Sequence, residues 1–156
     1  GLRIKKLRPS GRGVITRLTR LTKLPMVEDA SSVIDLAQVQ LAEYFDQRRQ
    51  VFSVPLRLIG SEFQARVWHA LTKIPYGKTI SYGEIAREVN SPKAVRAVGG
   101  AVGANPLSII IPCHRVVGAN GSITGYGGGY AAKRHLLALE LGLAADELPF
   151  SRGVKE

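Results

Sequence analysis

A chain of 156 residues, 45% of them hydrophobic, can bury the core of one ordinary domain or two small ones, which excludes global disorder. The longest purely aliphatic run, Ile109-Ile110-Ile111 closed by Pro112, is far too short to span a membrane. A single cysteine excludes an internal disulfide framework, and with only three histidines a structural zinc site is not expected; the net charge of +10 suits nucleic acid, an anionic membrane surface or plain solubility.

Between Gly1 and Pro25 there is no acidic residue, while Arg3, Lys5, Lys6, Arg8, Arg12, Arg17, Arg20 and Lys23 are cationic. No continuous apolar core of a leader follows these charges, so the expected location is the cytoplasm. Residues 1–26 read as extended structure, with turns at Pro9-Ser10-Gly11 and Gly13 and an alternation Ile15, Arg17, Thr19, Leu21. Ser31 or Ser32 then caps a helix with Ile34, Ala37, Leu41, Tyr44 and Phe45 on one stripe. Phe52, Val54, Leu56 and Leu58 alternate as a strand that Gly60 ends, and a domain boundary is placed there.

Ser61 followed by Gln64 has the pattern of a capping box and opens a helix that turns Phe63, Val67, Ala70 and Leu71 inward. Pro75-Tyr76-Gly77 reads as a turn. Ser81 with Glu84 forms a second capping box and starts a short helix to about Val89. Asn90-Ser91-Pro92 stops it and, with Pro92 at the first helical position, begins another helix to about Ala104. Asn105-Pro106 breaks that helix, and residues 107–111 read as an extended segment delivering Pro112-Cys113-His114. Residues 118–129 form a glycine-rich loop, 131–143 a last helix, and the chain after Ala144 is left as a tail.

Three features carry chemistry. The helix pair 81–89 and 92–104, joined by a tight turn, has the form of a helix-turn-helix, and its second member is slim (Ala94, Ala97, Gly99, Gly100) with Lys93 and Arg96 near its start. Such pairs also occur in ordinary helical packing, so shape alone does not favour DNA binding, and the positive charge tips the reading toward it. Cys113-His114 could pair a nucleophilic thiol with a base, although a lone cysteine is more often a small buried apolar group. Glu140 falls inside the apolar arc formed by Leu136, Leu137, Leu139 and Leu143, where a carboxylate needs a partner unless it reaches water at the edge of the face.

Taken with Gly60-Ser61-Glu62-Phe63-Gln64, Val67-Trp68, Ile74-Pro75-Tyr76-Gly77, Ser81-Tyr82, residues 92–99, Asn105-Pro106, residues 111–117 and Gly125-Tyr126-Gly127-Gly128-Gly129, these features resemble a known family. It is that of the O6-alkylguanine-DNA alkyltransferases, or methylated-DNA–protein-cysteine methyltransferases, and the resemblance runs from about Leu56 to Glu140. It implies an α+β protein: a small ribonuclease-H-like α/β domain over 1–59, then a mostly helical, winged-helix-like domain with the helix-turn-helix over 60–143, and a tail over 144–156.

The resemblance also implies roles. Cys113 accepts the alkyl group from O6-alkylguanine, and less readily from O4-alkylthymine, once per molecule and without cofactor or metal. His114 serves as base through a water, Glu140 orients that histidine, Asn105 braces the turn before the reacting strand, and Tyr82 gives a proton to guanine N3. Val116, Tyr126 and Gly127 line the base pocket; Gly127 stands where many members have serine, and Leu139 and Leu141 replace the His and Gly that often flank the glutamate. Ser81, Lys93, Arg96, Ala97 and Arg115 face double-stranded DNA in the minor groove, with Arg96 filling the gap left by the flipped base. A monomer is expected. Two other readings are a non-catalytic sensor of alkylated bases, against which Cys113 argues, and a cysteine hydrolase, which repeated turnover would reveal.

Overall fold

The structure, a computed structural model, describes residues 31–152 together with 20, 21 and 23. Most of the extended reading of 1–26 therefore lies outside the described residues, and Arg20 and Leu21 are helical instead. Ser31 opens helix α1 (Ser32–Phe45), its hydroxyl accepting from the Val33 and Ile34 amides. The inward stripe is narrower than expected: Gln40 and Tyr44 are buried, whereas Ile34 and Phe45 are 48% and 46% exposed.

The strand expected over 52–58 does not form. Phe52 and Val54 are half-buried and Ser53 and Pro55 exposed, so the alternation survives at the start of the segment but fails at Leu56, which is exposed. No ladder partner pairs with this segment among the described residues, and an extended chain becomes a strand only when its amides and carbonyls are paired.

Helix α2 (Glu62–Thr72) begins with the expected capping box at Ser61 and Gln64 and buries Val67, Trp68, Ala70 and Leu71. After strand β1 (Ile80–Ser81), a second capping box, Ser81 with Glu84, opens α3 (Tyr82–Glu88). Helix α4 (Val95–Gly103) starts three residues later than Pro92, because the chain from Ser91 first closes a turn in which the Ala94 amide donates to the Ser91 carbonyl at 2.8 Å. The helices α2, α3 and α4 enclose one core, to which Trp68 is pinned by its indole N–H on the Ala101 carbonyl at 2.8 Å.

Residues 107–111 are a tight turn, not an extended segment. The Ile111 amide donates to the Leu107 carbonyl at 2.9 Å, and Ile109 takes φ +78°, a left-handed backbone that a β-branched residue rarely adopts. The next three residues, Cys113–Arg115, form a 3-10 turn running into β2 (Val116–Val117), which pairs in parallel with β1 in the register Ile80↔Val116.

The last helix, α5 (Tyr130–Leu141), ends at Gly142 with φ +65°. As far as it is described, to Arg152, the expected tail is part of the fold: after a 3-10 turn (Ala145–Glu147), Leu148 is buried in the second apolar cluster, and β4 (Ser151–Arg152) pairs in parallel with β3 (Ser122–Ile123). Helices with two small sheets make the protein α+β. No helix among the described residues is long and apolar enough to cross a membrane.

Candidate active site

The pairing of β2 with β1 holds the 3-10 turn against α5, and Cys113, His114 and Arg115 are all buried there. His114 Nε2 lies 2.6 Å from Glu140 Oε1. The same carboxylate accepts from Arg115 Nε and Nη2, both at 2.9 Å, from the Tyr44 hydroxyl at 2.7 Å and from the Gly77 amide at 3.0 Å. Gly77 is needed at this last contact: its φ is +70°, and a Cβ would sit 3.2 Å from the Glu140 carbonyl oxygen. The charged residue on the apolar face of α5 thus has its partners.

Electrostatics follow from this packing. Burial by itself pushes the Glu140 carboxyl up, but the hydrogen bonds from His114 and Arg115 outweigh it and hold it at about 2. Burial lowers the His114 pKa, and Arg115 and Lys133 add to that, against the hydrogen bond and charge of Glu140. An ionised carboxylate at Nε2 fixes the tautomer with the proton on that nitrogen, leaving Nδ1 as a bare acceptor. Among the described residues His114 Nδ1 is a buried side-chain nitrogen with no hydrogen-bond partner.

Burial raises the pKa of the Cys113 thiol; hydrogen bonds from Asn105 and Ser108 and the charge of Lys133 act the other way. Asn105 ties the turn before it, donating to the Ile111 carbonyl at 2.8 Å and accepting from the Leu107 amide at 3.0 Å. Lys133 was not singled out from the sequence. It is fully buried, donates to the Val116 and Thr124 carbonyls, and is pushed down by burial to about 8, with Cys113 opposing. Its signal was available: it lies two turns before Glu140 on the same apolar face of α5.

Tyr82 is half-buried, and burial raises its pKa; its hydroxyl accepts from Thr124 Oγ1 at 3.2 Å, so its own proton is free to be donated. Tyr126 is likewise pushed up to about 12 by burial and the nearby thiol, against a hydrogen bond with Ser108. Val116 is buried with its carbonyl taken by Lys133, and Gly127 is exposed. Lys93, Arg96 and Ala97 are exposed on and just before α4, while the Ser81 hydroxyl is engaged at the cap of α3. Arg115 does not face outward as expected: it is 5% exposed, and its Nη1 donates to the Ile74 carbonyl at 2.5 Å.

Residues 62–142 match a family model described as the DNA-binding domain of 6-O-methylguanine DNA methyltransferase. The inducible methylated-DNA–protein-cysteine methyltransferase of Bacillus subtilis is 51% identical over 115 residues, covering 74% of this chain and 64% of that protein. The methylated-DNA–protein-cysteine methyltransferase of Mycolicibacterium paratuberculosis is 58% identical over 101 residues, covering 65% and 61%. A Mycobacterium tuberculosis structure solved in complex with DNA is 56% identical, with a TM-score of 0.68, covering 70% of this chain and 68% of that one. The chain spans less than two thirds of the length of these two curated relatives.

Proposed function

The chain belongs to the 6-O-methylguanine DNA methyltransferase family, and from that premise we propose that it repairs O6-alkylguanine in DNA by moving the alkyl group irreversibly to Cys113. The observation that carries this reading is the buried Cys113-His114 turn with Glu140 at 2.6 Å from the histidine and its other nitrogen bare. A thiol raised by burial needs a base, and a neutral imidazole with one free acceptor is such a base.

The proton of the Cys113 thiol passes to His114 Nδ1, through a bridging water, and Glu140 holds the resulting positive charge. The thiolate attacks the alkyl carbon in line; an S–C bond forms, the C–O6 bond breaks, and its electron pair goes into the guanine. Tyr82 gives that base a proton at N3, and the phenolate and imidazolium left behind return to neutrality through solvent. The product thioether has no nucleophile to release it, so each molecule acts once.

The substrate reading extends to a flipped base in duplex DNA. Supporting it are the exposed Lys93, Arg96 and Ala97 on or beside the slim α4, whose outer side offers Gly100 and Gly103 with open space where a side chain would be. Tyr126 and Gly127 then line the base pocket. O4-alkylthymine is a poorer substrate of the same site. The organisation proposed is an N-terminal ribonuclease-H-like α/β domain over 1–59 and a winged-helix-like domain with the α3–α4 helix-turn-helix over 60–143, working as a monomer in the cytoplasm.

Intact-protein mass spectrometry after incubation with duplex O6-methylguanine DNA tests this. One methyl group should be gained per molecule, on the Cys113 peptide, and Cys113→Ala should bind DNA without gaining mass. Glu140→Gln should slow transfer by about 10²–10⁴-fold, the range for general acid–base groups. Repeated turnover, or label on another residue, would exclude the reading.

A further inference from the structure

The carboxylate of Glu140 receives donors from three separate stretches of chain, and one of them lies outside the family match. Tyr44, on α1, is fully buried, and its hydroxyl reaches Oε1 at 2.7 Å, the same oxygen that His114 contacts at 2.6 Å and Arg115 Nη2 at 2.9 Å. A carboxylate offers about four lone-pair positions. Five donors therefore saturate it, and every bond drawn by one donor weakens what is left for the others.

The ring of Tyr44 cannot swing away. It packs edge-on against Phe45 at 5.4 Å and Tyr76 at 6.0 Å, and tilted against Phe52 at 5.6 Å. Close beside it, Gln47 donates to the Leu139 carbonyl at 3.2 Å, so α1 is fastened to the turn of α5 that presents the carboxylate. An apolar pocket walled by Phe52 and Tyr76 would not need a hydroxyl at this point; a phenylalanine would fill it.

We propose that Tyr44 is a positioning residue for the reaction: its hydroxyl holds Glu140 Oε1 and sets how much positive charge that carboxylate can support on His114. The inference rests on the transfer chemistry described above. By drawing charge from Oε1, the phenol keeps His114 neutral, and so able to accept the thiol proton, at a lower pH than the His114–Glu140 pair alone would allow. The other groups facing this pair are Tyr76 from the turn before Gly77, Arg115 from the 3-10 turn and Lys133 from α5. All are left in place by a change at residue 44.

Imidazole ¹⁵N NMR titration of the full chain reads this directly, with the exposed His69 and His135 as internal references. Tyr44→Phe should raise the His114 midpoint by about one pH unit, as loss of a competing donor to its counter-charge requires. The acid limb of the transfer rate should move up with it, slowing transfer several-fold near neutrality and recovering at higher pH. Site-specific 3-fluorotyrosine at position 44, a stronger donor of nearly the same shape, should move both in the opposite direction and needs no new packing. A purely structural role would lower stability and leave the midpoint unmoved. Equal His114 midpoints in the native and fluorotyrosine forms overturn the proposal, whether or not Tyr44→Phe folds. Absence of any alkyl transfer by the native chain would instead refute the proposed function, and the titration would still decide the role of Tyr44.

Discussion

Arg115 grips Glu140 through two parallel hydrogen bonds, Nε to Oε2 and Nη2 to Oε1, each 2.9 Å long, in a site where both side chains are almost wholly shielded from water. The fork geometry is one a lysine cannot reproduce. Arg115→Met should therefore leave the carboxylate short of its main cation and cost about 3–5 kcal/mol in urea unfolding. DNA binding by the folded fraction should keep its salt dependence, because no phosphate contact is lost. A reduction of the salt slope by about one counterion would place Arg115 at the DNA after all.

Glu140 gives a second expectation. Its carboxyl sits at about 2 in the folded chain against an ordinary 4.5. A carboxyl held below its unfolded value adds stability above that value and loses it as pH falls toward the folded one. Stability should drop by about 3 kcal/mol between roughly pH 5 and pH 2 from this group. Urea midpoints measured across that window should fall steeply in the native protein and less steeply in Glu140→Gln. Parallel slopes would mean that other carboxyls govern acid unfolding.

Lys133 bears on the thiol. Its buried ammonium favours the Cys113 thiolate, and it titrates at about 8. Lys133→Met removes that charge at similar volume, so the midpoint for Cys113 alkylation by iodoacetamide should rise, by about one pH unit. In the native protein the support itself fades as pH climbs past about 8. An unchanged alkylation profile in Lys133→Met would show that the ammonium serves only the two carbonyls it bonds.

Arg96 separates base flipping from simple attraction. Arg96→Ala should slow repair of duplex O6-methylguanine much more than reaction with free O6-benzylguanine, with a modest change in DNA affinity. Equal slowing on both substrates points to damage at the reacting centre. A large affinity loss with normal transfer at saturation makes Arg96 a phosphate contact.

Local patterns were the legible part of this fold. The boxes at Ser61-Gln64 and Ser81-Glu84 bind residues three apart, so the sequence alone carries their geometry. Glu140 was legible for a different reason: helical periodicity put a carboxylate among leucines, and that demands partners. Which partners was not legible. Tyr44 looked like one more apolar residue on the α1 stripe, and Arg115 looked like a surface cation, because the pairing of distant stretches leaves no mark on either neighbourhood. The turn at Ile109 was read as extended because an aliphatic run favours strands; Asn105 overrides that preference by bonding across it. The segment 52–58 kept its alternation only as far as Val54 and lacked a ladder, which alternation cannot supply.

The bond from Tyr44 to Glu140 joins positions 96 apart in the chain. Contacts of that span are slow to form, since the entropy of closing the intervening loop is lost before they return anything. The helices α2 to α4 can assemble around Trp68 from segments near one another in sequence, whereas the Glu140 carboxylate meets its full set of donors only after both ends of the described chain have arrived. Loop-closure entropy thus predicts that the reacting centre is completed after the helical core. A partly unfolded molecule with its helical core intact and α1 detached would lack the Tyr44 bond to Glu140, and on the proposed chemistry would react more slowly near neutrality than the complete fold.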